Sequence, residues 1–204
     1  MRSTFAVALL FGLATTLAAA PIEPSVCDGV AGNLVTNCGF ETGNFNGWTV
    51  VDPTNNSVVE GDNFDGIGPF SGDFFAALGT VGTDGSLSQT LTTVAGQNYE
   101  FGFWLASDGG TPSDFTAEWN GTPAVSLANT PAGPYSLFTF DETATSPSTT
   151  ISFLSRNDPG FWGLDDVFVV TATPEPSSLG GISMLLALMA GCAVLYKRRK
   201  SQTV

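Results

Sequence analysis

The chain has 204 residues, 43% of them hydrophobic, with sixteen phenylalanines, no histidine and a formal net charge of −13. Acidity on that scale repels phosphate backbones and excludes nucleic acid as a partner. The missing histidine removes the commonest general base, and the length leaves room for one ordinary domain beside terminal signals.

Arg2, an apolar stretch over 5–17 and Ala18-Ala19-Ala20 read as a secretory signal over residues 1–20. Pro21 disfavours cleavage directly after Ala20, so the expected cut lies one or two residues earlier. The exported segment then spans 21–172. Arg156 is its only cation, against eighteen acidic residues between Glu23 and Asp166. Such charge ordinarily serves solubility, and the sharper alternative is that some carboxylates hold divalent cations.

Cys27 and Cys38 lie eleven residues apart in this exported segment. Oxidising conditions permit a disulfide there, and closing a loop of that size contributes about 2–3 kcal/mol in the chain-entropy model. Zinc is the competing reading, but no histidine and no third nearby thiol complete a site. Cys192 sits in the apolar tail.

Helical periodicity is absent from 21 to 172, and short β-rich runs alternate with Gly, Pro, Asn and Asp clusters. Candidate strands are 48–51, 57–60, 74–78, 86–92, 99–106, 115–119, 124–127, 135–140, 149–155 and 164–170. Alternation of polar and apolar residues is clearest over 86–91 and 150–154. Many short, regularly spaced strands predict an all-β two-sheet sandwich or jelly roll. Asn120-Gly121 between two of them is a type I′ hairpin signal.

The run Asn33-Leu34-Val35-Thr36-Asn37-Cys38-Gly39-Phe40-Glu41, followed by Gly47-Trp48, resembles the opening of galactose-binding-like jelly rolls. That group includes several carbohydrate-binding-module families. Residues 96–105 resemble its central strand, with a Gly-x-x-Tyr-x-x-x-Phe pattern, and Leu164-Asp165-Asp166-Val167 resembles its closing strand. Cys38 departs from the usual Asn-Gly neighbourhood of the opening motif. The resemblance implies a β-sandwich that binds glycan, with a structural calcium held between the first motif and the last strand.

Carried onto this chain, the calcium ligands are Glu41 and Asp165, with Asp166 in reserve. Strand parity agrees: if Val167 and Val169 face the core, Asp165 shares their face and is buried. A buried carboxylate needs a partner, and Arg156 is the only cation at hand. The alternative is that Asp165 caps backbone amides with no metal. The acidic run over 60–66 lacks the bidentate Glu of a calcium loop and reads as a solvated turn.

Flat aromatic faces stack on sugar rings, which makes the four tryptophans candidates. Trp48 and Trp104 match core positions of the resembled fold. Trp119, just before the Asn120-Gly121 turn, stands open between packing and ligand binding. Trp162, after Asp158-Pro159-Gly160 in a predicted loop, is the foremost candidate for an exposed platform, with packing as its alternative.

The chain closes on Pro174-Glu175-Pro176 within a 173–178 linker, an apolar run over 179–196, and a basic end, 197–204, that carries Lys197, Arg198, Arg199 and Lys200. Eighteen helical residues rise about 27 Å, enough to cross a hydrocarbon core, and the cations keep to the cytoplasmic side. This order resembles the PEP-CTERM sorting signal of Gram-negative, polymer-secreting bacteria. The resemblance implies an exosortase partner and an inner-membrane-anchored precursor released to the cell surface or extracellular matrix; an ordinary tail anchor is the alternative. No catalytic residue is nominated, because the exported segment has no histidine and no lysine. The expectation is a non-catalytic exported protein that binds glycan or exopolysaccharide. A purely structural surface or biofilm protein is the alternative.

Overall fold

The computed structural model describes residues 24–172. The signal over 1–20, the linker over 173–178, the apolar span over 179–196 and the basic end over 197–204 lie outside the described residues. Ten strands follow a short 3-10 turn at Val26–Gly29: β1 (Thr49–Val51), β2 (Val58–Glu60), β3 (Phe75–Leu78), β4 (Gly85–Thr92), β5 (Asn98–Ser107), β6 (Ser113–Trp119), β7 (Thr122–Ala128), β8 (Gly133–Thr143), β9 (Ser148–Asn157) and β10 (Trp162–Thr171). They form two five-stranded antiparallel sheets, β1-β4-β9-β6-β7 and β2-β3-β10-β5-β8. The all-β sandwich expected from the sequence is what forms, with a strand at each of the ten predicted places.

Period-two patterning produces this arrangement. In β4, Leu87, Gln89 and Leu91 point inward while Ser86, Ser88 and Thr90 face outward. Phe115, Ala117 and Trp119 of β6 and Ile151 and Phe153 of β9 repeat the pattern. Between the sheets, Phe103 meets Phe153 edge-on at 5.1 Å and Phe101 lies 5.9 Å from it, while Phe115 of the same sheet lies 5.9 Å from Phe153. Such pairs add about 0.5–1.5 kcal/mol beyond their buried area. Asn120 and Gly121 both take positive φ, 51° and 78°, as a type I′ turn requires between β6 and β7.

Sheet parity breaks inside β10. Leu164 and Asp165 pair with Leu105 and Trp104, yet Phe168 pairs with Gly102, so Asp166 and Val167 together oppose Phe103. Asp166 adopts a φ of 48° to make this bulge. Trp162 and Leu164 face the core before the bulge; Val167 and Val169 face it afterwards. The parity expectation is thereby corrected. Asp165 is buried, but it points away from the face that Val167 and Val169 occupy.

The N-terminal segment lies along β10 beyond the reach of β3. Leu34 donates to the Val169 carbonyl at 2.9 Å, and Val167 donates to that of Cys38 at 3.0 Å. Asn33 acts as a surrogate strand residue: its Oδ1 accepts from the Val169 amide at 3.0 Å, and its Nδ2 donates to the Val167 carbonyl at 3.2 Å. Cys27 and Cys38 are bonded, as expected, with Cα atoms 6.1 Å apart. Residues 61–74 cover part of the outer face of the second sheet. There Ile67, Phe75, Ala77 and Ala106 form a small second core, and Phe64 meets Phe161 at 4.6 Å.

Candidate functional site

Three carboxylates converge on one short loop. Asp165 Oδ2 accepts from the amides of Phe70 and Ser71 at 2.9 and 3.4 Å, and its Oδ1 accepts from the Asp166 amide at 2.7 Å. Asp166 Oδ2 accepts from Ser71 Oγ at 2.5 Å, and its Oδ1 from the Cys27 amide at 2.9 Å. Glu41 takes the far side of the loop, accepting from the amides of Asp73 and Phe74 at 3.0 and 3.3 Å. Gly72 is required between them, because its φ is +67° and a Cβ would meet the Glu41 carboxylate.

Among the described residues no cation balances these groups. Arg156, the lone basic residue among them, pairs with Asp158 instead. Burial and then the Asp166 charge push Asp165 up to about 8, although its amide donors pull the other way. Burial also raises Glu41, with Asp73 and Asp28 adding to it against the amide donors. Tyr135 lies close enough to feel both aspartates; burial first, then those charges, raise its phenol, and its buried hydroxyl has no hydrogen-bond partner.

The oxygens of Glu41, Asp165 and Asp166 do not meet as a trio. Among the described residues the single cluster of three thiol and carboxylate atoms close enough to share an ion is Cys27, Asp28 and Cys38, and its sulfurs form the disulfide. A carboxylate oxygen has two acceptor sites, so those occupied by one amide keep a lone pair. Asp165 thus caps backbone amides, the metal-free arrangement named as the alternative, and the lone pairs left over are what a hard cation would need.

The two tryptophans expected to meet ligand are corrected by their burial. Trp162 is the first residue of β10, not a loop residue, and is 0% exposed, donating through Nε1 to the Arg156 carbonyl at 3.1 Å. Trp119 is 4% exposed and donates to the Thr143 carbonyl at 3.3 Å. Neither presents a ring face to solvent, since each needs the interior for its ring and a carbonyl for its N–H. Trp104, assigned to packing from the sequence, stands half-buried on the outer face of the second sheet. Phe70 stacks on it at 3.8 Å and 16°.

Two small clefts flank the start of β8. One, of about 210 Å³, opens between the sheets and is walled by Leu127, Phe138, Ser136 and an edge of Trp162. The other, of about 180 Å³, lies under residues 66–69 against Tyr135. Ala106, Gly133 and Pro134 line both.

With this geometry the chain matches solved sugar-binding modules in fold. It is similar to TmCBM61, solved in complex with beta-1,4-galactotriose, at 21% identity and a TM-score of 0.53, over 69% of this chain and 99% of that one. It is also similar to the xylan-binding domain from CBM 22, at 12% identity and a TM-score of 0.53, over 70% of this chain and 97% of that one. The two-sheet sandwich thus matches the jelly-roll fold of these modules. No protein-family profile matches the chain, and no curated protein matches it. Identity at this level carries the fold and not the ligand.

Sequence reasoning reached the carboxylates through the two motifs, but it missed their common partner, the 70–74 loop. Nothing in Phe70-Ser71-Gly72-Asp73-Phe74 announces that its amides meet residues some 95 positions away. The clefts were missed as well, because they arise from a strand irregularity and not from any side-chain pattern.

Proposed function

We propose that residues 24–172 form a non-catalytic module that binds glycan or exopolysaccharide outside the cell. The observation that carries the reading is the sandwich itself, whose layout matches modules solved with galactotriose and named for xylan. The clefts at the start of β8 add a concave, largely apolar surface edged by hydroxyls, the kind of lining small-molecule sites use. A glycan array probed with the full-length protein tests it: selective capture of one class of polysaccharide is the expected result, and uniform silence across the array defeats it.

Delivery to that place is assigned to the chain ends. The segment 1–20 exports the protein, and the PEP-CTERM order of Pro174, Glu175 and Pro176, the apolar span and Lys197 to Lys200 hands it to an exosortase. Anchoring before processing is assigned to the apolar run over 179–196.

Calcium belongs to the same proposal. Glu41 and Asp165 would hold it, with backbone carbonyls completing the set, and Asp166 would stay engaged with Ser71 and Cys27. The support is a pair of buried carboxylates with hydrogen-bond donors but no cation, beside a loop that three carboxylates already organise.

A further inference from the structure

The β5–β8 ladder is regular from Asn98↔Thr143 to Leu105↔Ser136 and then slips, so that Ser107 pairs with Gly133. Pro134 and Tyr135 together oppose the single residue Ala106. Pro134 has no N–H to give a ladder, which favours the irregularity at this end of the strand. The slip parts β8 from its neighbour and leaves one cleft on each side of the Gly133-Pro134 segment. Bulges recur beside functional sites because they re-aim side chains and open the sheet locally.

The lining is unusual for this domain in one respect. Eighteen acidic residues lie between Glu23 and Asp166, yet no residue lining either cleft carries a charge. Leu127 and Phe138 offer apolar wall, while Thr130 and Ser136 offer hydroxyls that both donate and accept. Each cleft is smaller than the roughly 300 Å³ at which sites for drug-sized ligands begin. Each therefore takes a single small ring, and the shared Gly133-Pro134 wall puts the two rings next to each other.

Resting on the glycan-binding reading above, we propose that the slipped start of β8 is the sugar seat, and that it takes two adjacent units of a neutral polysaccharide. An uncharged seat gains nothing from a uronate carboxylate, and the negative field of the surrounding domain repels one within the Debye length of about 8–10 Å. Neutral hydroxyl-rich rings meet neither penalty. Their apolar faces suit the wall of Leu127 and Phe138, and their hydroxyls suit Thr130 and Ser136.

Titration calorimetry of the full-length protein in detergent, against beta-1,4-galactotriose, xylohexaose and trigalacturonate, tests the assignment. A neutral probe should bind with little dependence on salt, and trigalacturonate should bind at least tenfold more weakly. Thr130→Trp and Ser136→Trp each put a bulky ring into the first cleft from a rim position, and each should weaken the neutral probe at least tenfold. Thr90→Trp, on the outer face of the first sheet, should leave binding unchanged, and circular dichroism with melting curves shows whether each variant is folded. Binding of a neutral probe that both folded cleft variants retain in full overturns the seat while the glycan reading stands. Equal binding of trigalacturonate overturns the neutral specificity. A wild-type protein that binds no probe overturns this assignment and counts against the glycan reading beneath it.

Discussion

The amide of Cys27 donates to Asp166 Oδ1 at 2.9 Å across 139 positions of sequence, joining the disulfide-closed N-terminal segment to the bulge of β10. Val26 completes the link by donating to Ser71 Oγ at 2.8 Å, while Ser71 in turn donates to Asp166. Three pieces distant in sequence thus share one hydrogen-bond network.

Removing the Cys27–Cys38 bridge should cost about what closing its loop contributes and loosen this network as well. The double variant Cys27→Ser/Cys38→Ser is expected to lose about 2–3 kcal/mol in urea unfolding. Proteolysis within 24–33 should quicken as the strap detaches from β10. Unchanged urea midpoint and cleavage rate would mean that the strap is held without its bridge.

Asp165 predicts a particular pH dependence. Its folded value near 8 stands above the ordinary carboxylate value of 3.8. The associated stability is fully present below about pH 4 and is lost as pH rises through 8. In metal-free buffer the wild type should lose on the order of a few kcal/mol between those limits relative to Asp165→Asn. Melting curves of the two proteins from pH 4 to 9 measure the difference, and parallel curves would refute it.

Calcium should reverse that loss by supplying the missing charge. Binding only to the folded state adds about 2.7 kcal/mol at a hundredfold excess over Kd. For a domain of this size that is about 6–10 °C in Tm. Glu41→Gln and Asp165→Asn keep shape and remove charge, so each should forfeit most of the gain. A wild-type melting temperature indifferent to both calcium and chelator would remove the ion from the site.

Tail processing has a direct readout. Mass spectrometry of protein from the extracellular fraction should find no peptides beyond roughly Pro176. Intact peptides covering 197–204 in that fraction would exclude sorting with release.

The sandwich was legible because alternation in β4, β6 and β9 follows from one buried face, and because glycine-rich turns separate the runs. The β6–β7 hairpin was legible from two residues, since few pairs other than Asn-Gly accept two successive positive φ values. What escaped depends on places where the period fails. Parity put Asp165 on the face of Val167, and a single extra residue at the bulge undid it. Trp162 looked like a loop residue because Pro159-Gly160 precedes it, but β10 begins at that tryptophan. The slip at Pro134 left a trace, a proline at the start of a long strand, without showing which clefts it would open.

The strand that leads out of the domain is β10, and it lies inside its sheet, flanked by β3 and β5. Any pull applied through the chain after Ala172 enters that strand along its length. It must slide the whole β5 ladder, from Trp162↔Ser107 to Thr171↔Tyr99, at once, where an edge strand loaded at its end would peel one bond at a time. The strap bonded to Val167 and Val169, closed by its disulfide, adds a second row to be sheared. The domain is thus built to bear tension applied at its C-terminal end.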